Sequence, residues 1–179
     1  MRKVAVIGVS GSGKTTLAGI LAKRLDLPHV ELDALHHGPN WTEASAEELQ
    51  ANVLAALERC PDGWVVDGNY QGKIGDLVVE RADTVIWLDP PLPLIVSRLV
   101  RRTAGRIARR TELWNENRET IRNTLFSRDS LLVYAVKSHG RHRRLQPQRL
   151  ARLDARLVHL GSAGEVKRWC DELGCRPVT

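Results

Sequence analysis

One segment near the start of the chain has the residue types and the spacing that bind phosphate. From Gly8 to Thr15 it reads GVSGSGKT and matches the pattern G-x-x-x-x-G-K-[ST] at every fixed position. Glycines let successive backbone N–H groups turn towards phosphate oxygens, and a helix N-terminus adds partial positive charge. The segment therefore predicts binding of ATP or GTP. The residues expected to contact the nucleotide are Gly8, Gly11, Ser12, Gly13, Lys14, Thr15 and Thr16.

Two side chains of this segment are expected to act on the nucleotide and its metal. Lys14 would reach the β and γ phosphates, and the Thr15 hydroxyl would bind Mg²⁺. A carboxylate at the end of a neighbouring strand usually holds such a metal through its water. Asp67 and Asp89 both follow apolar segments typical of strands. In the strand arrangement of kinase-like P-loop proteins, the third strand lies beside the first, which favours Asp67 as the metal carboxylate. Asp89 is the alternative, and it could instead cap the following helix.

Arginines suited to stabilising a phosphoryl group in transfer are concentrated in the second half of the chain. Arg98, Arg102 and Arg106 recur every four residues and would share one face of a helix. Arg118 and Arg122, also four apart, could point back at the same site from the next predicted helix. Guanidinium groups stabilise phosphoryl oxygens best when a lid excludes water. The pattern predicts an arginine-rich lid at about 101–118, and a solvated basic face is the alternative for individual arginines.

Short apolar segments alternate with helical patterns along the chain. The predicted strands are Lys3–Val9, His29–Leu32, Trp64–Asp67, Thr84–Leu88 and Arg156–Leu160. Helical patterns lie at 14 to about 27 and around 45–59, 92–103, 116–126, 129–138 and 163–173. This alternation predicts an α/β protein with a five-stranded parallel sheet and helices on both faces. Together with the Gly8–Thr15 motif it indicates the three-layer α/β/α P-loop fold. We expect residues 1–179 to form one domain, with an insertion at about 33–60 and the lid.

Charge and absent motifs narrow the class of protein. The chain of 179 residues has a net charge of +6, which divides into −5 for residues 1–97 and +11 for residues 98–179. Such a division is compatible with nucleic acid or another polyanion as partner. The chain lacks the [NT]KxD motif of GTPases and the LSGGQ signature of transport ATPases. Small kinases therefore fit best, and a nucleotide-dependent nucleic-acid-binding protein or regulatory ATPase is the alternative.

Cysteine usage and the apolar runs indicate a cytoplasmic protein. The three cysteines, Cys60, Cys170 and Cys175, form no CxxC pair, so we expect reduced thiols. The longest apolar run, at 131–136, is far shorter than the roughly 18 residues that a membrane helix needs. We expect a cytoplasmic monomer or homodimer without a membrane partner.

Several motifs together resemble the adenylate-kinase-related proteins often labelled topology modulation proteins. These motifs are GVSGSGKTT, Glu31–His36, Val66–Tyr70, Val85–Pro90, Arg98 with Arg102, and Trp114–Glu119. The resemblance covers about residues 1–173 and implies a nucleoside-monophosphate-kinase-like fold that uses ATP and Mg²⁺. It implies that Asp67 is the metal-side carboxylate and that Arg98 and Arg102 flank ATP at the base of the lid. Arg118 and Arg122 resemble the returning lid arginines more loosely.

The acceptor side departs from nucleoside monophosphate kinases. No arginine closely follows Asp67-Gly68, and residues 25–58 hold seven carboxylates without a Lys or Arg. A pocket built there would repel a phosphate unless lid arginines reach across. The stretch from Asp33 to His36 instead resembles the acceptor-side Asp of shikimate and gluconate kinases, which phosphorylate a hydroxyl. Because a hydroxyl must lose its proton, Asp33 would orient the acceptor or act as its general base.

The sequence as a whole predicts an ATP-dependent phosphotransferase. It would move the γ-phosphoryl of Mg-ATP to a small acceptor, either a nucleoside monophosphate or a hydroxyl metabolite. The expected catalytic residues are Lys14, Asp33, Arg98, Arg102 and Arg118, and the expected metal ligands are Thr15 and Asp67.

Three further polar features have simpler interpretations. His36 and His37 precede a Gly-Pro pair and are expected in a solvated turn rather than at a metal site. Trp41 and Tyr70 could stack on a base or sugar, and the alternative for Trp41 is that it pins its loop to the core. The basic stretch Arg141–Arg149 contains a proline and follows a glycine, so we expect a solvated turn there, with a nucleic-acid or lid contact as the alternative.

Overall fold

The computed structural model contains one parallel sheet with helices on both faces. It describes residues 1–108 and 131–174, without the side chains of Asn40, 106–108 and 131–136. The strands are β1 (Lys3–Gly8), β2 (His29–Glu31), β3 (Trp64–Asp67), β4 (Thr84–Leu88) and β5 (Arg156–Leu160). They pair in parallel in the order β2-β3-β1-β4-β5. The predicted α/β fold with five parallel strands is confirmed, and the third strand lies beside the first.

Helices connect the strands and continue to the end of the described chain. They are α1 (Lys14–Leu25), α2 (Leu32–His36), α3 (Ala46–Glu58), α4 (Gln71–Ile74), α5 (Leu92–Ala108), α6 (Leu131–Leu150) and α7 (Ala163–Glu172). Single 3₁₀ turns lie at Pro39–Trp41 and Val79–Arg81. Helix α1 ends two residues before the predicted limit because Asp26 adopts a φ of 52° and its N–H donates to the Ala22 carbonyl oxygen.

Alternate residues of β1 face two separate apolar cores. Val4 and Val6 pack in one core with Leu17 of α1. Ala5 and Ile7 belong to the other core, which α3 covers. Burial on both faces is typical of a central parallel strand. The loops that follow the strands therefore meet at the carboxyl edge of the sheet, where ligands bind in open α/β folds.

The described chain differs most from expectation at α6. The sequence predicted a helix ending near residue 138 and then a solvated basic turn, but α6 continues to Leu150, so the predicted turn is wrong. Pro147 removes a helical hydrogen bond. Gln146 and Leu150 are nevertheless buried, and these tertiary contacts outweigh the local preference.

Helix α5 continues past its predicted end to Ala108. Two predictions lie outside the described residues: the helix at 116–126 and the part of the lid beyond Ala108. Within the described ranges, no helix has both the length and the apolar character needed to cross a membrane.

Asp83 ties the beginning of the chain to the sheet. Its Oδ2 accepts hydrogen bonds from the backbone N–H groups of Arg2 at 2.6 Å and Lys3 at 2.9 Å. The Thr84 hydroxyl donates to Oδ1 at 2.7 Å. Partial burial raises the pKa of Asp83, but the hydrogen bonds lower it by more. The pKa therefore lies below its usual value.

Replacing Asp83 with Asn should make the unfolding free energy less dependent on acid pH. A carboxyl with a lowered folded-state pKa stabilises the fold above its unfolded pKa, roughly 4, and this contribution is lost as the pH falls through the folded value. Urea unfolding at pH 7 and pH 3 measures the difference. Asp62→Asn, at an exposed turn residue, is the matched control. An equal acid loss in wild type and Asp83→Asn would contradict the assignment.

Candidate functional site

The loop predicted to bind phosphate connects β1 to α1. Gly11 and Gly13 have φ values of 83° and 99°, a region that favours glycine. A Cβ on Gly11 would lie 2.8 Å from Leu99 Cγ and 2.9 Å from the Ile95 carbonyl oxygen. The loop therefore packs directly against α5, with no room for a side chain at this position.

Arg98 connects α5 to the same loop. Its Nη1 donates to the Ser12 carbonyl oxygen at 2.8 Å, and a Cβ on Gly13 would lie 3.3 Å from that nitrogen. Ser12 is buried, and its Oγ has no hydrogen-bond partner among the described residues. Arg98 therefore brings positive charge to the loop at the position predicted for a lid-base arginine.

The other predicted phosphate contacts follow in α1 and α5. Lys14 is half-buried at the start of α1, and Thr15 and Thr16 are exposed in its first turn. Arg102 lies one turn after Arg98 and is half-buried. The side chain of Arg106 is not described, and Arg118, Arg122 and the Trp114–Glu119 motif lie outside the described residues. The structure thus brings together the loop, Lys14, Thr15 and Arg98.

Asp67 lies beside this loop because β3 pairs with β1 and places it opposite Val6. It is 1% exposed. Its Oδ2 has no hydrogen-bond partner among the described residues, and His29 Nε2 is 3.9 Å away. Burial raises the pKa of Asp67 above its usual value, although the nearby Thr15 hydroxyl and Lys14 ammonium group oppose the shift. A buried carboxylate oxygen without a donor fits a site that a cation completes.

Asp89, the second metal candidate, already has basic neighbours. It follows β4 and is 6% exposed. Arg143 Nε of α6 donates to its Oδ2 at 2.7 Å, and His159 Nε2 lies 3.6 Å from the same atom. Of the two strand-end carboxylates, Asp67 is therefore the one with an unsatisfied oxygen.

Asp33 lies in the first turn of α2, immediately after β2. The Tyr70 hydroxyl, which follows β3, donates to Asp33 Oδ1 at 2.7 Å. Asp33 is half-buried, and it is close enough for its negative charge to add to the raised pKa of Asp67. The carboxyl ends of β2 and β3 thus bring Asp33 and Asp67 to one region beside the loop.

Aromatic rings pack against one another on the acceptor side, next to Tyr70. His36 is 3% exposed, so its predicted place in a solvated turn is wrong. Its ring centroid lies 4.6 Å from those of His37 and Tyr70. Trp41 contacts His37 edge-on with centroids 5.4 Å apart and is 37% exposed. Among the described residues no group of three or more His, Cys, Asp or Glu side chains could hold a metal.

Lys73 of α4 lies among the acidic residues of the acceptor side. It was not predicted as a site residue from the sequence. Its Nζ donates to Glu43 Oε2 and to the Ala44 carbonyl oxygen, both at 2.9 Å. It lies 3.5 Å from His36 Nε2. Burial, followed by the charge of Lys73, lowers the pKa of His36. The available signal was the position of Lys73 shortly after Asp67, because loops after neighbouring parallel strands share one edge.

The basic stretch at 141–149 on α6 is mostly exposed, but several of its side chains contact other elements. Arg149 forms an ion pair with Asp76 and donates from Nη1 to Gln146 Oε1 at 3.2 Å. His142 Nε2 lies 2.8 Å from Asn69 Nδ2, beside the loop after β3. Arg143 and Arg149 therefore neutralise carboxylates of the acidic half of the chain, although Arg143, like Arg141 and Arg144, is exposed.

Residues 4–123 match the sequence family described as AAA domain. The chain belongs to this family. A shikimate kinase of Microcystis aeruginosa is 29% identical over 127 residues, which are 62% of this chain and 64% of that protein. A cytidylate kinase of Pyrococcus horikoshii is 30% identical over 108 residues, which are 55% of this chain and 56% of that protein. The chain thus spans less than two thirds of the length of either relative.

Comparison with solved structures supports the same fold. The shikimate kinase from Acinetobacter baumannii in complex with shikimate superposes with a TM-score of 0.60 at 13% identity, covering 97% of this chain and 90% of that one. Together with the sequence relatives, this similarity confirms the predicted relationship to P-loop kinases and the predicted fold.

Replacing Arg143 with Ala should destabilise the fold because Asp89 would lose its hydrogen-bonded partner in a buried position. We expect a loss of about 1 kcal/mol in the unfolding free energy, because Arg143 is exposed and solvent screens its charge. Urea denaturation measures this loss. Arg144→Ala, the exposed neighbour on α6, should change stability by less than about 0.5 kcal/mol. Equal effects of the two variants would show that the contact with Asp89 contributes nothing.

Proposed function

We propose that this protein is an ATP-dependent phosphotransferase that phosphorylates a hydroxyl group of a small metabolite. The observation that carries the proposal is the meeting of three features at one edge of the sheet: the Gly8–Thr15 loop, the buried carboxylate of Asp67, and Asp33. Phosphate binding, metal binding and proton removal each have a group there. The relatives named as kinases support the same class of reaction.

The nucleotide would be bound by the loop and the first turn of α1. Backbone N–H groups from Gly11 to Thr15 and the partial charge of the helix N-terminus suit the phosphates of ATP. Lys14 and Arg98 would stabilise negative charge on the transferring group. Arg102 and Arg118 would have the same role as part of a lid at about 101–118.

Mg²⁺ fits the residues present at the end of β3. The donor set is hard oxygen, from the Thr15 hydroxyl and the Asp67 carboxylate, and Mg²⁺ prefers oxygen ligands. The buried Oδ2 of Asp67, which lacks a hydrogen-bond donor among the described residues, is the atom that a cation would satisfy. When bound, the metal would neutralise charge on the β and γ phosphates.

A hydroxyl acceptor fits the charges of the acceptor side better than a phosphate. Two described cations that lie by the loops after β2 and β3 already have carboxylate partners: Lys73 contacts Glu43, and Arg149 contacts Asp76. Asp33 itself can take the proton from an acceptor hydroxyl while the acceptor oxygen bonds to the γ-phosphorus and the bond to the ADP oxygen breaks. An acceptor that is already ionised would gain nothing from this base.

An ADP-release assay with hydroxyl and phosphate acceptors tests the proposal. Shikimate and gluconate supply hydroxyl acceptors, and AMP and CMP supply phosphate acceptors. We expect acceptor-stimulated turnover with a hydroxyl compound, a loss of about 100-fold or more in kcat/KM for Lys14→Ala, and a loss of about 100-fold in kcat for Asp33→Asn.

Two matched variants control for charge changes elsewhere in the same segments. Lys23→Ala removes an exposed lysine from α1, and Asp26→Asn changes an exposed carboxyl just after it. Both should keep the wild-type rate within about twofold, the range expected of substitutions outside the site. Stimulation by AMP or CMP alone would exclude the hydroxyl acceptor, and no stimulation by any of the four compounds would count against the kinase.

A second candidate function is nucleotide-dependent binding of nucleic acid. The observation that favours it is the exposure of Lys137, Arg141, Arg144 and Arg152 on and just after α6, with no ion pair among the described residues. Affinity for random duplex DNA should then fall log-linearly with salt. Fluorescence anisotropy at increasing salt measures it, with Arg141→Gln/Arg144→Gln as the variant. Absence of binding near 0.1 M salt while ATP still binds would exclude this candidate.

A further inference from the structure

We propose that Tyr70 is a positioning residue that fixes the Asp33 carboxylate through its hydroxyl group. The proposal rests on the phosphotransferase function proposed above, in which Asp33 receives the proton of the acceptor. It assigns a role to a residue that the phosphate-binding machinery does not use.

The contact between the two side chains is short and joins two different strand ends. Tyr70 Oη donates to Asp33 Oδ1 at 2.7 Å in a partly buried setting, across 37 positions of sequence. The same hydroxyl lies 3.4 Å from His37 Nε2. A hydrogen bond to an ionised acceptor is stronger than one between neutral groups. Tyr70 therefore holds the carboxylate from the neighbouring loop, outside the short helix α2 that carries Asp33.

The tyrosine ring is itself held in place by a buried neighbour. His36 packs against it with ring centroids 4.6 Å apart, and His36 is 3% exposed. In addition, His36 Nε2 lies 3.4 Å from Glu43 Oε2, which also accepts from Lys73 Nζ at 2.9 Å. A ring fixed by such packing has few alternative rotamers, so its hydroxyl presents a defined direction to Asp33.

Fixing one carboxylate oxygen determines what the other can do. With Oδ1 accepting from the Tyr70 hydroxyl, Oδ2 would be the oxygen that receives the acceptor proton. In the transfer, the acceptor O–H bond breaks and its proton goes to Asp33, the acceptor oxygen bonds to the γ-phosphorus, and the bond from phosphorus to the ADP oxygen breaks. A base contributes only if it is within hydrogen-bond reach of the proton, and small misplacements cost large factors in rate.

The first experiment uses the acceptor that wild type phosphorylates fastest among shikimate and gluconate. We expect Tyr70→Phe to lower kcat about tenfold, because one charge-assisted hydrogen bond is lost, with KM for ATP unchanged within about twofold. Tyr70→Leu, which also removes the ring, should lower kcat to a similar extent. If Tyr70→Phe keeps the wild-type kcat and only Tyr70→Leu is impaired, the hydroxyl has no positioning role.

A double-mutant cycle distinguishes positioning from a general structural effect. In an Asp33→Ala background, Tyr70→Phe should lower kcat by less than about twofold, because the group it positions is gone. Asn52→Ala is the matched control, since Asn52 donates an exposed hydrogen bond to the Leu35 carbonyl oxygen of α2 at 3.4 Å without contacting Asp33. Its kcat should stay close to wild type. Equal Tyr70→Phe losses in both backgrounds would overturn the proposal.

The same variants can be compared by urea unfolding without any acceptor. Tyr70→Phe should lower the unfolding midpoint in wild type and change it little in Asp33→Ala, because the two side chains are coupled. If the two substitutions lower the midpoint independently, the positioning role of Tyr70 is overturned and the proposed function is not. Coupled midpoints with no turnover on any acceptor, in wild type as in the variants, would instead overturn the proposed function and the positioning role that rests on it.

Discussion

The burial of one carboxylate at the edge of the sheet is the constraint on which the rest of the site depends. Asp67 can lie there because β3 pairs directly with β1 and brings it opposite Val6. Taking a charge out of water costs several kcal/mol unless other groups compensate. The Lys14 ammonium group and the Thr15 hydroxyl compensate in part. The loop, the first turn of α1 and the end of β3 are therefore tied electrostatically as well as by packing.

The uneven distribution of charge along the chain is resolved in three dimensions. Arg143 and Arg149 of the basic half contact Asp89 and Asp76 of the acidic half. These contacts hold α6 against the loops that follow β3 and β4. The excess positive charge is thus used partly for internal neutralisation, and partly left on the exposed face of α6 and around Arg98. The net charge alone could not distinguish these two uses.

The sequence predicted the parts of the structure that are set by local patterns. Apolar runs predicted the five strands, and the expected position of the third strand beside the first is confirmed. Features that depend on long-range contacts were missed. Gly140 and Pro147 favour a break in α6, yet burial of Gln146 and Leu150 keeps it helical. The surroundings of Lys73 and of the buried His36 also depend on which loops become neighbours, which follows from the order of the strands and not from a local pattern.

The ion pairs of α6 also set an order of events during synthesis. Asp76 and Asp89 leave the ribosome well before Arg143 and Arg149, and N-terminal segments can begin to fold first. Strands β2, β3 and β1 are neighbours in the sheet, so they can pair before α6 exists. Asp89 stays hydrated until Arg143 has been synthesised. The two ion pairs therefore form only after α6 has been synthesised, and its docking neutralises Asp76 and Asp89.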